Sequence, residues 1–181
     1  MSYKDVDKRK TLNTLYAIDN YLGEEGYTKR FPIYFIGGSA LILSEFQKSS
    51  KDIDFITDNN GYLALEGFID ELEKQKGIKI DMFKKGFLPN YRCEDCLLRS
   101  KKFLGLKHLE VYILDYIDII LTKGIAGRED DIEAIKSLKD RGIIATKEEL
   151  IKRFNGVVPN RGKEEEINRR FKTFVKRYES L

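Results

Sequence analysis

The first half of the chain alternates between apolar stretches with helical spacing and short apolar runs that are typical of strands. Residues 5–22 form a predicted amphipathic helix, because apolar side chains recur there every three or four positions. An apolar run at 33–36 then predicts a buried strand that Gly37-Gly38 ends. The further elements predicted in this half are a helix over 39–46, a strand over 52–57, a turn at Asn59-Asn60-Gly61, a helix through 65–72 that Gly77 ends, and a strand over 78–83.

The second half begins with residues 84–108, which show no regular period. A strand is predicted over 109–114, followed by helices near 116–124 and 129–140 and by two helical segments in the tail. This order predicts an α+β (α/β-like) fold with a small mixed sheet flanked by helices. We expect a core of residues 1–143 and a helical C-terminal appendage of residues 144–181 packed on it.

Charge adds little to this picture, since 33 basic residues nearly cancel 30 acidic ones and leave a formal charge of +3. The excess is in residues 147–181, which carry ten Lys or Arg against six Glu. A plain nucleic-acid-binding protein would show a basic excess in its core, so nucleic-acid contact is expected at the tail if anywhere. The tail's apolar stripe predicts a helix packed on the core, with a basic face toward solvent, RNA or an acidic partner: Ile167, Phe171, Phe174, Val175 and Tyr178.

Membrane and zinc signals are weak. No apolar run approaches the roughly 20 residues that cross a bilayer, and residues 1–10 are highly charged, so a cytoplasmic location is expected. Cys93 and Cys96 have a Cys-x-x-Cys spacing with His108 as a possible third zinc ligand. The second ligand pair of a structural zinc site is missing, so we expect ordinary reduced cysteines in a loop.

Gly37-Gly38-Ser39 lies at a predicted strand-to-helix junction. Two glycines let the backbone turn sharply, and the N–H groups of the following helix, with the serine hydroxyl, can face an anionic oxygen. The motif is therefore either a tight turn or a phosphate cradle. It is neither a P-loop nor Gly-x-Gly-x-x-Gly, because the residues that define those motifs are absent.

Asp52 and Asp54 alternate with Ile53 and Phe55 along a predicted strand. Strand side chains alternate faces, so the two carboxylates project the same way, about 7 Å apart, while the apolar pair faces the core. Aspartate is disfavoured in strands, and two on one face repel each other without a cation. The pair is either a solvated sheet face or a site for a divalent ion such as Mg²⁺.

Together these motifs resemble the signature of the DNA polymerase β-like nucleotidyltransferase superfamily, in which apolar-Gly-Gly-Ser precedes Asp-apolar-Asp-apolar. Thirteen residues separate Gly38 from Asp52, within that family's usual spacing. The family uses a third carboxylate on a neighbouring strand, for which Asp81 fits and Glu110 competes.

More narrowly, the chain is similar to small single-domain bacterial members related to the abortive-infection (AbiEii-type) nucleotidyltransferase toxins. In these a lysine-bearing helix precedes a loop and an Asp-apolar helix, which Lys123, Arg128 and Asp131 match more loosely. The resemblance covers roughly residues 31–140.

The resemblance implies transfer of a nucleoside monophosphate from an NTP to an acceptor, with two Mg²⁺ or Mn²⁺ ions. Asp52, Asp54 and Asp81 would hold the metals, and Asp81 would also help to activate the acceptor hydroxyl. Relatives modify RNA, proteins or small molecules, and some act in toxin–antitoxin pairs. The remaining implied roles are phosphate contacts by Gly37, Gly38 and Ser39, neutralisation of phosphate charge by Lys123 and Arg128, and a catalytic or helix-capping role for Asp131.

Two features of that assignment stay open at this point. Lys123 is either a phosphate ligand or a solvated lysine near a helix end. The chain as a whole is either an enzyme or a non-catalytic, antitoxin-like binding module that keeps the fold, although intact Asp52, Asp54 and Asp81 favour the enzyme.

Overall fold

The computed structural model describes residues 3–181, and the chain forms two units. The first unit runs up to Lys85 and includes Ser100–Leu114, and the second contains Gly86–Arg99 and Asp115–Leu181. The predicted division at residue 143 stays a prediction. In chain order the elements are α1 (Lys8–Glu24), β1 (Phe31–Phe35), α2 (Gly37–Leu43), β2 (Asp52–Thr57), α3 (Asn59–Lys76), β3 (Lys79–Lys84), β4 (Tyr91–Arg92), α4 (Asp95–Leu98), β5 (Lys101–Gly105), β6 (Leu109–Ile113), α5 (Tyr116–Ala126), α6 (Glu129–Asp140), α7 (Lys147–Asn155), β7 (Val158–Pro159) and α8 (Glu164–Arg177), followed by a 3₁₀ turn (Tyr178–Ser180).

A five-stranded mixed sheet organises the first unit, with strand order β3-β2-β1-β6-β5. The β2–β3 and β1–β6 pairs are parallel, whereas the β1–β2 and β5–β6 pairs are antiparallel. Helices α1, α2 and α3 belong to the same unit. This architecture confirms the predicted α+β class with a mixed sheet.

Alternating burial along the central strands sets the faces of the sheet. Ile33 and Phe35 on β1, and Ile53 and Phe55 on β2, are completely or almost completely buried. The residues between them are only partly buried. The period-2 prediction for β2 is therefore confirmed, and it leaves Asp52 and Asp54 together on the other face.

The turn predicted at Asn59-Asn60-Gly61 is wrong, because these residues are the first turn of α3. Asp58 caps that helix by accepting a hydrogen bond of 2.7 Å from the Gly61 N–H. A Cβ on Gly61 would lie 2.2 Å from Thr57 Oγ1, so this glycine permits a close approach instead of a turn. The start of α2 is also earlier than predicted, at Gly37 instead of Ser39, and β5 was not predicted.

The second unit is mainly helical and has an additional two-stranded sheet of β4 and β7. Three of the apolar residues predicted on the tail stripe, Ile167, Phe171 and Phe174, are buried on α8, as is Tyr178 just after it. Phe174 packs against α5 at Gly124. A Cβ on Gly124 would lie 2.4 Å from the Phe174 ring. A glycine at this point of α5 therefore lets the two helices pack closely.

The expectation of reduced cysteines is also wrong. Cys93 and Cys96 are buried and joined by a disulfide within the second unit, which leaves no thiolates for zinc. Within residues 3–181, no helix combines the length and apolarity of a membrane span.

Candidate active site

Three carboxylates converge where β2 and β3 run side by side. The parallel register places Asp54 directly opposite Asp81, and Asp52 lies two residues earlier on the same face of β2. One oxygen from each of the three side chains lies within 4.8 Å of the others, and all three residues are partly buried. Across residues 3–181, no other group of three or more His, Cys, Asp or Glu side chains meets this criterion. We call this group the acidic triad.

Glu110, the competing third carboxylate, lies elsewhere on the sheet. It is on β6, which β1 separates from β2. Lys102 donates a hydrogen bond of 2.9 Å to Glu110, and the Tyr112 hydroxyl donates another of 3.1 Å. The bond from Lys102, with that from Tyr112, lowers the pKa of Glu110. Asp81, and not Glu110, therefore completes the triad.

The double glycine brings the start of α2 against the triad. Gly37 has a φ of +54°, which favours glycine, and a Cβ there would lie 3.2 Å from Asp54 Oδ2. A Cβ on Gly38 would lie only 2.5 Å from Ser50 Oγ. Each glycine thus allows a contact that a larger residue would disturb.

Ser39 is completely buried and is bound to β2. Its hydroxyl donates to the Asp52 carbonyl at 3.3 Å and accepts from the Asp54 N–H at 2.9 Å. These bonds hold the backbone of the two aspartates against α2. The hydroxyl predicted to contact phosphate is thus engaged with the strand that carries the acidic residues.

Two further residues at the triad were missed by sequence reasoning. Ser50 donates to Asp52 Oδ1 at 3.3 Å, and its backbone pairs with that of Val6. Lys79 donates through its ammonium group to Asp81 Oδ2. The Lys-x-Asp spacing on a predicted strand was an available signal for Lys79, because alternate residues share a face. Nothing in the sequence signals the role of Ser50.

The hydrogen bond to Asp81 also affects the titration of Lys79. This bond outweighs the effect of partial burial, and with the charges of Asp81, Asp52 and Asp54 it raises the pKa of Lys79. The ammonium group is therefore a persistent positive charge beside the triad.

Lys123, Arg128 and Asp131 form an ion cluster in the second unit. Asp131 accepts from Lys123 Nζ at 2.9 Å and from Arg128 Nε at 2.7 Å. Only 9% of the Lys123 side chain is exposed, so the solvated-lysine interpretation is wrong. Burial alone would raise the pKa of Asp131, but the bond from Arg128 and the charge of Lys123 outweigh it and lower that pKa.

A mixed sheet that carries three converging carboxylates beside a Gly-Gly turn is the organisation expected of a nucleotidyltransferase. The chain belongs to the family described as "nucleotidyltransferase of unknown function (DUF6036)", whose model matches residues 13–179. Among solved structures, it is similar to the crystal structure of an antigenic nucleotidyltransferase-like protein from Paracoccidioides brasiliensis. That match has 10% sequence identity and a TM-score of 0.49, and it covers 98% of this chain and 93% of the other. No curated protein matches the chain.

Proposed function

We propose that this chain is a metal-dependent nucleotidyltransferase that moves a nucleoside monophosphate from an NTP to an RNA, protein or small-molecule acceptor. Pyrophosphate is the second product. The observation that carries the proposal is the convergence of Asp52, Asp54 and Asp81 within 4.8 Å, in a chain that belongs to a nucleotidyltransferase family.

The acidic triad fits a divalent cation. Its donors are hard carboxylate oxygens from two adjacent strands, and all three residues are only partly buried, which leaves room for substrate phosphates as further ligands. Asp52, Asp54 and Asp81 would hold Mg²⁺ or Mn²⁺, which would polarise phosphoryl oxygens and neutralise developing charge. We also assign Asp81, on the edge strand β3, a part in activating the acceptor hydroxyl.

The residues around the triad and those of the ion cluster have different proposed roles, depending on whether their polar groups are already bonded within the protein. We assign phosphate contact to the backbone of Gly37 and Gly38, and we assign Ser39 to holding β2 against α2, because its hydroxyl bonds to that strand. Of the two cations on Asp131, Arg128 has a side chain that is 77% exposed. Arg128 is therefore the better candidate for a phosphate ligand, with Lys123 and Asp131 as its buried support.

From the resemblance to the abortive-infection-related enzymes, we propose that the chain acts in a toxin–antitoxin pair or in phage defence. It would act in the cytoplasm, where NTPs are available, and a small protein would be its antagonist. The supporting observation is that Lys123, Arg128 and Asp131, the residues matched to that group, form one ion cluster.

Transfer of label from nucleotide to an acceptor tests the proposed activity. The purified chain is incubated with each of the four α-³²P-labelled NTPs, Mg²⁺ or Mn²⁺ and a cell lysate, and labelled RNA, protein and small molecules are separated. We expect Asp52→Ala and Asp54→Ala each to lower the rate by about a thousandfold or more, because metal-held charge stabilisation is lost. Glu110→Gln is the matched control, and it should label like the parent.

Two results would count against the proposal. Labelling by Asp52→Ala and Asp54→Ala at the parent's rate would contradict the assignment of the site. If the parent neither labelled an acceptor nor bound any of the four NTPs, the antitoxin-like binding module would become the better explanation.

A further inference from the structure

A lysine lies inside the arrangement of carboxylates that is assigned to the metal. In the parallel register of β2 and β3, Asp52 is opposite Lys79 and Asp54 is opposite Asp81. All four side chains lie on the same face of the sheet, because each pair is two residues apart on its strand. The Lys79 ammonium group donates to Asp81 Oδ2, one of the carboxylates of the triad.

The stability gained from this pair does not explain it. The Lys79 side chain is 44% exposed and that of Asp81 is 34% exposed. Exposed ion pairs contribute little to stability. A lysine at this position instead has its main effect on whatever else binds the three carboxylates.

A divalent cation and the Lys79 ammonium group compete for the same oxygens. Two positive charges a few ångströms apart repel each other even in water, so a bare ion must displace Lys79 from Asp81 or bind beside it at a cost. A metal–NTP complex meets a smaller barrier, because the negative phosphates offset the charge of the metal. The same lysine thus opposes a free metal ion more strongly than a metal–nucleotide complex.

We propose that Lys79 is a built-in counter-ion of the acidic triad that weakens the binding of free divalent metal and couples metal entry to the nucleotide. This inference rests on the proposed nucleotidyltransferase function. It adds a residue that sets when the metal binds, in addition to the residues that hold it.

Titration with Mn²⁺ alone tests the proposal, with free Mn²⁺ measured by electron paramagnetic resonance. We expect Lys79→Met to bind Mn²⁺ about tenfold more tightly than the parent at low ionic strength, because one opposing charge is removed. Lys79→Gln should show a similar gain, and Lys79→Arg, which keeps the charge, should stay within about twofold of the parent. Adding ATP should shrink the difference between Lys79→Met and the parent.

Lys84→Met is the matched control, since it removes a lysine from the same strand. Lys84 is exposed, lies over the Tyr62 ring, and is five residues from Lys79 on β3, so its side chain points to the opposite face. It should leave Mn²⁺ affinity within about twofold of the parent, although the change in net charge is the same. Circular dichroism melts would establish that each variant is folded.

The possible failures can be told apart. If the parent binds Mn²⁺ but Lys79→Met and Lys79→Gln bind it no more tightly, the counter-ion proposal is wrong and the proposed function stands. An equal gain in Lys84→Met would also overturn the counter-ion role. If neither the parent nor any variant binds Mn²⁺, with or without NTPs, both proposals fail.

Discussion

Two groups of carboxylates, one in each unit, hold their charge in different ways. In the first unit, three carboxylates of the acidic triad lie within 4.8 Å of one another and stay partly exposed. In the second unit, Asp118 is completely buried. Arg99 donates to both Asp118 oxygens at 2.9 Å, and Arg153 lies 2.9 Å from Asp118 Oδ2.

The difference reflects two uses of charge. A buried carboxylate is tolerated only when it is paired and hydrogen-bonded, so the two guanidinium groups on Asp118 indicate a structural role. Clustered carboxylates at a partly exposed position repel one another, and that arrangement favours binding of a cation over stability. Mutations in the acidic triad should therefore lower activity with little loss of stability. Mutations at Asp118 should instead lower stability.

The largest effect on stability is expected from Asp118→Asn. This change leaves Arg99 and Arg153 without their shared carboxylate, and we expect the free energy of unfolding to fall by about 3 kcal/mol. Urea unfolding followed by circular dichroism measures it. Glu133→Gln is the control, because Glu133 pairs with Lys136 at the same 2.9 Å but at an exposed position. Its effect should be below about 0.5 kcal/mol, and equal losses in the two variants would refute the comparison.

Close packing of α5 and α8 predicts the next largest effect. Gly124→Ala would place a Cβ 2.4 Å from the Phe174 ring, and we expect a loss of about 2 kcal/mol from overpacking. Gly67→Ala on α3, which has open space around it, should instead raise stability by about 0.5–1 kcal/mol. Thermal melts compare the two. A stabilised Gly124→Ala variant would show that the contact between α5 and α8 is looser than described.

Much of the first unit could be predicted because its signals are local. Alternation along β2 places Asp52 and Asp54 on one face, and the thirteen-residue spacing from Gly38 links them to the glycine turn. The choice of Asp81 rests on the resemblance to a family that uses a third carboxylate on a neighbouring strand, and on flanking residues that alternate like a strand. These inferences need a period of two, a motif and the family that the motif resembles.

The rest depends on contacts between residues that are distant in sequence. The assembly of the triad requires the parallel register of β3 beside β2, which places Asp54 opposite Asp81 and which no local pattern gives. Gly61 reads as a turn residue by composition, although its real constraint is the closeness of Thr57. The pairing of Arg99 with the buried Asp118 likewise joins two segments that have no shared sequence pattern.

Acid unfolding should test the ion pairing of Asp131. The pKa of Asp131 is lowered in the folded state from its ordinary value of 3.8. Its ionised form therefore stabilises the fold above that ordinary pKa, and the contribution is lost as the pH falls through the lowered value. We expect the stability of Asp131→Asn to fall less than that of the parent between about pH 5 and pH 2. If the unfolding free energies of the parent and of Asp131→Asn changed in parallel with pH, Asp131 would not be paired and ionised in the folded state.

The smallest and most diagnostic effect on stability is expected from Asp54→Asn. Removing one of three like charges within 4.8 Å should leave the metal-free protein as stable as the parent or up to about 1 kcal/mol more stable. With Mn²⁺ in excess the order should reverse, because ligand binding stabilises only a parent whose site is intact. Thermal melts with EDTA and with Mn²⁺ measure both states, and Glu110→Gln should show no such reversal. A destabilised Asp54→Asn protein in EDTA would mean that this carboxylate supports the fold, and the contrast with Asp118 would then be lost.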